Sequence, residues 1–172
     1  QTHCMAYIVE RAHIQAYNRV VNGVVRFAEA RRKLDLTPAD WKTPPKHVFA
    51  IYHQGCAWHI RAKRVPTDVV GRLDCSILER EVYPALGLTH AMIKDPARFD
   101  YYPEQDLATM AEVVDGGAYD CAIALHPVSI DDLIAVADAG LADPEIVMPE
   151  KSTFFAPKIL SGIMLYRHAL RS

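Results

Sequence analysis

His47-Val48-Phe49-Ala50-Ile51-Tyr52-His53, then Gln54-Gly55-Cys56, then Ala57-Trp58-His59-Ile60-Arg61-Ala62-Lys63, is the stretch that decides the fold. Two runs rich in β-branched and aromatic residues, joined by a short segment with glycine in the turn, predict a β-hairpin. A hairpin pairs its strands antiparallel, whereas a doubly wound parallel sheet joins its strands by helical crossovers. The rest of the chain supplies helices and further strands. Helical patterns run over Val24–Leu34, with Val24, Phe27 and Leu34 on one side, and over Leu107–Val114, which stops at Gly116-Gly117. Thr37–Trp41 reads as a short helical start, ended by Thr43-Pro44-Pro45. Ser76 and Glu79 have capping-box spacing, so a helix is expected from there to about Tyr83, where Pro84 and Gly87 disrupt it. Ser129 repeats the cap for a helix to about Ala139, closed by Gly140. Buried strands are expected at Cys4–Val9 and Cys121–Leu125, and shorter ones at Thr153–Phe155 and Gly162–Tyr166. The predicted class is α+β: a mixed, partly antiparallel sheet with flanking helices. Gln1 stands just before an apolar strand, so the expectation for residues 1–172 is the C-terminal portion of one α/β protein, incomplete at its N-terminus.

At 172 residues, with 51% hydrophobic and 23% charged side chains, the chain can bury a core without disulfides or a structural metal. Nineteen basic residues stand against 21 acidic ones, and a net charge of −2 argues against a nucleic-acid binder. The basic groups Arg26, Arg31, Arg32 and Lys33, then Arg61, Lys63 and Arg64, have no interleaved aromatics for base stacking and read as solvated faces. Cys4, Cys56, Cys75 and Cys121 show no C-x-x-C spacing, and Cys4, Cys56 and Cys121 sit in apolar company. Buried free thiols in a reducing, cytoplasmic compartment are expected. No apolar run approaches the length of a membrane span.

Chemistry-bearing residues are few. Lys151-Ser152-Thr153 follows Met148-Pro149-Glu150 and precedes a strand, with Lys158 seven residues on. A lysine beside two hydroxyls on a turn can present several donors to one anion. The glycines before the lysine and the helix behind it that a Walker loop needs are absent, and on spacing alone a polar turn bonded to its own backbone is the simpler reading. Arg19, within Tyr17-Asn18-Arg19-Val20-Val21, carries the planar fork suited to phosphate or carboxylate, though on sequence alone a structural ion pair to a carboxylate is the commoner fate of such a residue. Asp74 suits a supporting carboxylate at a helix start. The eight histidines form no H-x-x-x-H or H-E-x-x-H pair, so no metal site is expected.

Taken in order, these segments resemble the domain-of-unknown-function family numbered 1015. Met148-Pro149-Glu150-Lys151-Ser152-Thr153-Phe154-Phe155-Ala156-Pro157-Lys158, continuing to Gly162, is similar to that family's M-P-P-K-S-T-x-F-x-P-K-L-x-x-G-L. Leu73-Asp74-Cys75-Ser76-Ile77-Leu78 resembles its L-D-V-S-I-L, Tyr83–Leu88 its L-x-P-L-L-G-I, and Tyr17–Val21 its P-Y-N-R-V-V. Glu150 replaces the second proline, Leu141–Ile146 looks like a small insertion, and Asp100–Pro103 stands where many members are glycine-rich. The resemblance implies a longer protein, whose N-terminal half carries an A-D-G-H-H-R element similar to the phosphate-binding motif of ParB-like nucleotide-binding proteins. It brings no established activity. It makes Arg19, Lys151, Ser152, Thr153 and Lys158 the expected phosphate- or substrate-binding residues, with Asp74 supporting. The implied function is a nucleotide- or phosphate-dependent enzyme, with Mg²⁺ expected for a nucleotide. The alternative is a non-catalytic module that senses a nucleotide or phosphometabolite. The implied partners are a small phosphorylated molecule or nucleotide and the N-terminal half of the same protein; a membrane or nucleic acid is not expected.

Overall fold

A computed structural model of the protein describes residues 10, 13–24 and 26–156. The strands are β1 (Ile14–Val21), β2 (Thr37–Pro38), β3 (Val48–His53), β4 (Cys56–Arg61), β5 (Phe99–Pro103), β6 (Cys121–Ala124) and β7 (Thr153–Phe155). They form one sheet in the order β2-β4-β3-β6-β1-β5, with β7 also on β1. Every pairing among the described residues is antiparallel. The helices are α1 (Phe27–Leu34), α2 (Asp74–Ile77), α3 (Tyr83–Leu86), α4 (His90–Ile93), α5 (Leu107–Asp115) and α6 (Ile130–Ala142). The architecture is α+β.

The hairpin forms where its sequence places it, with His53 opposite Cys56. Gln54 and Gly55 lie at φ 48° and 74°. Positive φ at both central residues gives the tight reversal whose twist matches the flanking strands. The sheet buries both faces. On one, Phe49, Ile51, Ile123 and Phe99 meet α2, α3 and Val136 of α6. On the other, Val20 and Ala122 meet Met110 and Val114 of α5. Burying two faces demands apolar residues at consecutive positions, and β6 is buried at all four of its residues.

Several details differ from the sequence reading. Thr37-Pro38 is not a helical start but a short edge strand, with Thr37 opposite His59 and Pro38 opposite Trp58. An edge tolerates proline because the missing N–H leaves no ladder bond unmade. The Ser76–Glu79 capping box does not form: the helix begins two residues earlier, after Leu73, with no side-chain cap. Asp74, in that first turn, is held by His47 instead. From Asp74 the chain stays helical to Leu86, but widens to a π-helical turn over Leu78–Val82. Pro84 accounts for the widening, since a helical proline lacks an N–H and crowds the carbonyl four residues back. Gly87, at φ 81°, closes this helix as a left-handed cap. Gly140 lies inside α6, which runs on to Ala142. Cys75 and Cys121 are buried free thiols as expected, whereas Cys56 is exposed beside the hairpin turn. The strands expected at Cys4–Val9 and Gly162–Tyr166 lie outside the described residues.

Asp132 ties three elements together. Its side chain is 7% exposed and takes Lys46 Nζ at 2.6 Å and Arg72 at 3.2 Å. Ser129 Oγ donates to it at 2.7 Å, while the Asp132 amide donates back to Ser129, completing the cap of α6. Burial pushes its carboxyl up, but the bonds from Lys46 and Ser129 and the charges of Lys46 and Arg72 prevail and hold it below the ordinary 3.8. A depressed folded value means stability that is full above pH 3.8 and is lost as pH falls through the folded pKa. Asp132→Ala should destabilise the protein by about 1 kcal/mol in urea unfolding at pH 7, because it removes the acceptor that gathers Ser129 and two partly exposed cations. The difference should shrink in acid.

Candidate functional site

The expected site residues converge on β1. Asn18 and Arg19 are buried there at 0% and 4% exposure, polar side chains in a strand that is otherwise a core element. β5 pairs with Tyr17 to Val21, β6 with Arg19 to Val21, and β7 with Ile14 to Ala16. Thr153 stands opposite Ala16, and the turn before it carries Lys151 and Ser152 beside Arg19. Sequence positions 19 and 151 are thus brought into contact.

The Arg19 guanidinium donates from Nη1 to the Tyr17 carbonyl at 2.5 Å and from Nη2 to the Lys151 carbonyl at 3.3 Å. The buried phenol of Tyr83, delivered just after the π-helical turn, lies near enough to feel its charge. Its Nε has no hydrogen-bond acceptor among the described residues, and no described carboxylate lies within ion-pair distance. A buried cation answered only by neutral oxygens is expensive to keep. Burial pushes the Tyr83 phenol up to about 12 against the pull of Arg19, so Tyr83 stays neutral.

Lys151 adopts φ 56°, a left-handed backbone unusual for a residue with a side chain. Holding it there costs on the order of 1 kcal/mol. The turn sets its ammonium 5.7 Å from the Tyr17 ring centre and 5.6 Å from that of Tyr101. The two rings meet edge to face at 5.4 Å, and Arg19 lies 5.8 Å from the Tyr101 ring on its own account. Two cations therefore share one aromatic ring, a cation–π arrangement that orients both. Burial raises the Tyr101 phenol, with Arg19 opposing and Glu150 reinforcing the shift.

Lys151, Glu150, Tyr101, Glu79, His90 and Lys94 all line an open cleft of about 670 Å³. His90 Nδ1 lies 3.6 Å from Glu79. Arg19 is not on the cleft wall; it meets this region through Tyr101 and the Lys151 carbonyl. Ser152 is buried at 5% exposure, Thr153 is half-buried, and Lys158 lies outside the described residues. Asp74 belongs to a separate cluster. Its carboxylate accepts the His47 amide at 3.1 and 3.0 Å and pairs with His47 Nδ1 at 2.8 Å. Burial pushes this carboxyl up, against the lowering pull of His47 and His126.

Sequence reasoning missed Tyr17, Tyr83, Tyr101, Glu79 and His90. Alternation in Phe99-Asp100-Tyr101-Tyr102-Pro103 marks a strand, and that signal would have placed Tyr101 beside β1. Nothing local points to Tyr83. Among the described residues no three His, Cys, Asp or Glu side chains are grouped to hold a metal ion, and no helix is long and apolar enough to cross a membrane. In comparisons with known proteins, no family model matches the chain, and no curated protein or solved structure shows significant similarity to it.

Tyr83→Phe removes a buried phenol hydroxyl near Arg19 and leaves the ring packing intact. It should lower stability by about 1 kcal/mol in chemical denaturation. No change in midpoint would mean that the phenol does not support the guanidinium.

Proposed function

We propose that this chain binds a phosphate-bearing small molecule or nucleotide where Arg19 meets the Lys151-Ser152-Thr153 turn, as part of a phosphate-dependent enzyme. One observation carries the reading. Arg19 is 4% exposed and has no carboxylate partner among the described residues. An anion drawn to this region offsets the cost of that buried charge, and the guanidinium fork suits phosphate oxygens. Lys151 adds a second cation on the wall of the adjoining cleft, held by two tyrosine rings in a strained turn. The motif resemblance to the ParB-like-labelled family 1015 supports the same ligand class, and there the His-His-Arg element of an N-terminal half would complete the site. Mg²⁺ is the ion such a nucleotide site would take.

The net charge of −2 favours a small ligand over a nucleic-acid backbone, and free thiols at Cys56, Cys75 and Cys121 fit a cytoplasmic setting. Catalysis is preferred to sensing because Glu79 and His90, a carboxylate and an imidazole able to move protons, line the same cleft as Lys151. A sensor would need only the cations.

Calorimetric titration of the full-length protein with adenine and guanine nucleotides, each with Mg²⁺, and with inorganic phosphate tests this reading. Saturable binding that weakens about tenfold in Lys151→Ala is expected, the loss of one charge-assisted contact. Absence of saturable binding for every probe overturns the proposal. Binding without release of phosphate or diphosphate identifies the sensor.

A further inference from the structure

Away from the Lys151 cleft, where β3 begins, one buried carboxylate orients an imidazole that reaches solvent. Asp74 has 4% of its side chain exposed, and His47 has 27%. The His47 amide alone, donating to both carboxylate oxygens, would hold the Lys46-His47 turn to the head of α2. The ring contact is additional. Nδ1 lies 2.8 Å from Oδ1, and a carboxylate can only accept, so the proton sits on Nδ1 and Nε2 carries the lone pair. No described residue bonds to Nε2, and the partly exposed ring leaves it open to an incoming group. His47 pays for this pose with a left-handed backbone at φ 62°. That conformation is anchored on both sides: Val48 donates to the Pro45 carbonyl at 3.0 Å and Ala62 to the His47 carbonyl at 2.8 Å. A second imidazole, His126, has Nδ1 3.1 Å from the Pro44 carbonyl, which likewise leaves the lone pair on its Nε2. Its charge, when present, is felt at Asp74.

The neighbouring cations are already committed. Lys46 and Arg72 are both bound to Asp132, so neither competes for Asp74. The buried carboxylate thus has His47 as its one bonded partner among the described residues and can stabilise an imidazolium there. This is the division of labour in which a carboxylate fixes the tautomer and a histidine moves the proton.

We propose that His47 is a proton-transfer residue and Asp74 its positioning residue, forming a second reactive centre that takes a proton from an O–H group, water or an alcohol, on a molecule docked against the exposed ring. In that step the O–H proton moves to Nε2 and its bonding electrons stay on oxygen. Nδ1–H remains on Asp74, and the imidazolium gives its proton back as the product leaves. The inference does not rest on phosphate binding at Lys151, because the two sets of residues share no member.

The test measures the nucleophilicity of Nε2 in the full-length protein without any knowledge of the substrate. Diethyl pyrocarbonate acylates the imidazole lone pair: the N–C bond forms, the anhydride C–O bond breaks, and ethyl carbonate leaves as carbon dioxide and ethanol. Nδ1–H is lost to Asp74 or solvent. Site-resolved mass spectrometry at neutral pH should find His47 acylated faster than His90, whose ring is 69% exposed and lies 3.6 Å from a largely exposed Glu79. Asp74→Asn keeps an acceptor for the His47 amide but removes the charge and disturbs the tautomer. It should slow acylation at His47 at least about tenfold while leaving His90 unchanged. His47 reacting no faster than His90, or equally in wild type and Asp74→Asn, overturns the proposal and leaves a structural clasp. Should Asp74→Asn fail to fold, the wild-type comparison of His47 with His90 decides alone.

Discussion

β1 bonds to three other strands at the centre of a sheet covered on both faces, and its side chains at positions 18 and 19 are buried at 0% and 4% exposure. The Asn18 carbonyl oxygen finds the Leu125 amide at 3.0 Å, but its Nδ2 finds no partner among the described residues. Arg19 finds two carbonyls, with a phenol nearby, and its Nε finds no partner among the described residues. A strand that served only to hold the sheet would carry apolar residues at both positions. Much of the surrounding structure answers this burden. The helix from Asp74 widens before Pro84 and brings Tyr83 to Arg19, β5 brings Tyr101 against the cation, and the turn before β7 offers a carbonyl from a strained lysine.

Around the same sheet, polar side chains hold the entry and exit of the helices rather than the core. Asp74 fastens the start of α2 to the turn before β3, and Asp132 fastens the start of α6 to Lys46 and Arg72. Both carboxylates are nearly buried, yet their chemistry diverges with their partners. Two cations and a hydroxyl depress Asp132, whereas Asp74, facing imidazole and amide, is raised by its burial. The first is suited to gathering cations and the second to orienting an imidazole.

Sequence pattern proved a good guide wherever a signal was local. The hairpin, α1, α5, β6 and β7 fall where periodicity and turn residues put them, because the pattern that marks each is written in residues a few positions apart. The pattern misled where a distant partner outbid a local one. Ser76 and Glu79 have the spacing of a capping box, but Asp74 is already engaged by the His47 amide and the helix starts there. Thr37-Pro38 looked like a helix start until β4 took it as an edge strand. In β1, Asn18 and Arg19 interrupt the apolar run that marks a buried strand, and the strand was not recognised.

By itself the sequence determined the α+β class and the hairpin, since these follow from hydrophobic period and turn chemistry. Tertiary structure alone decided that Arg19 is buried beside Lys151, 132 positions away in the chain, with no described carboxylate to answer it. It alone decided that His47 hangs on Asp74 through one ring nitrogen while the other has no bonded partner among the described residues. The physical reason is common to both. Burial and charge pairing are properties of what packs around a residue, and strands far apart in sequence supply those neighbours only once the sheet has closed.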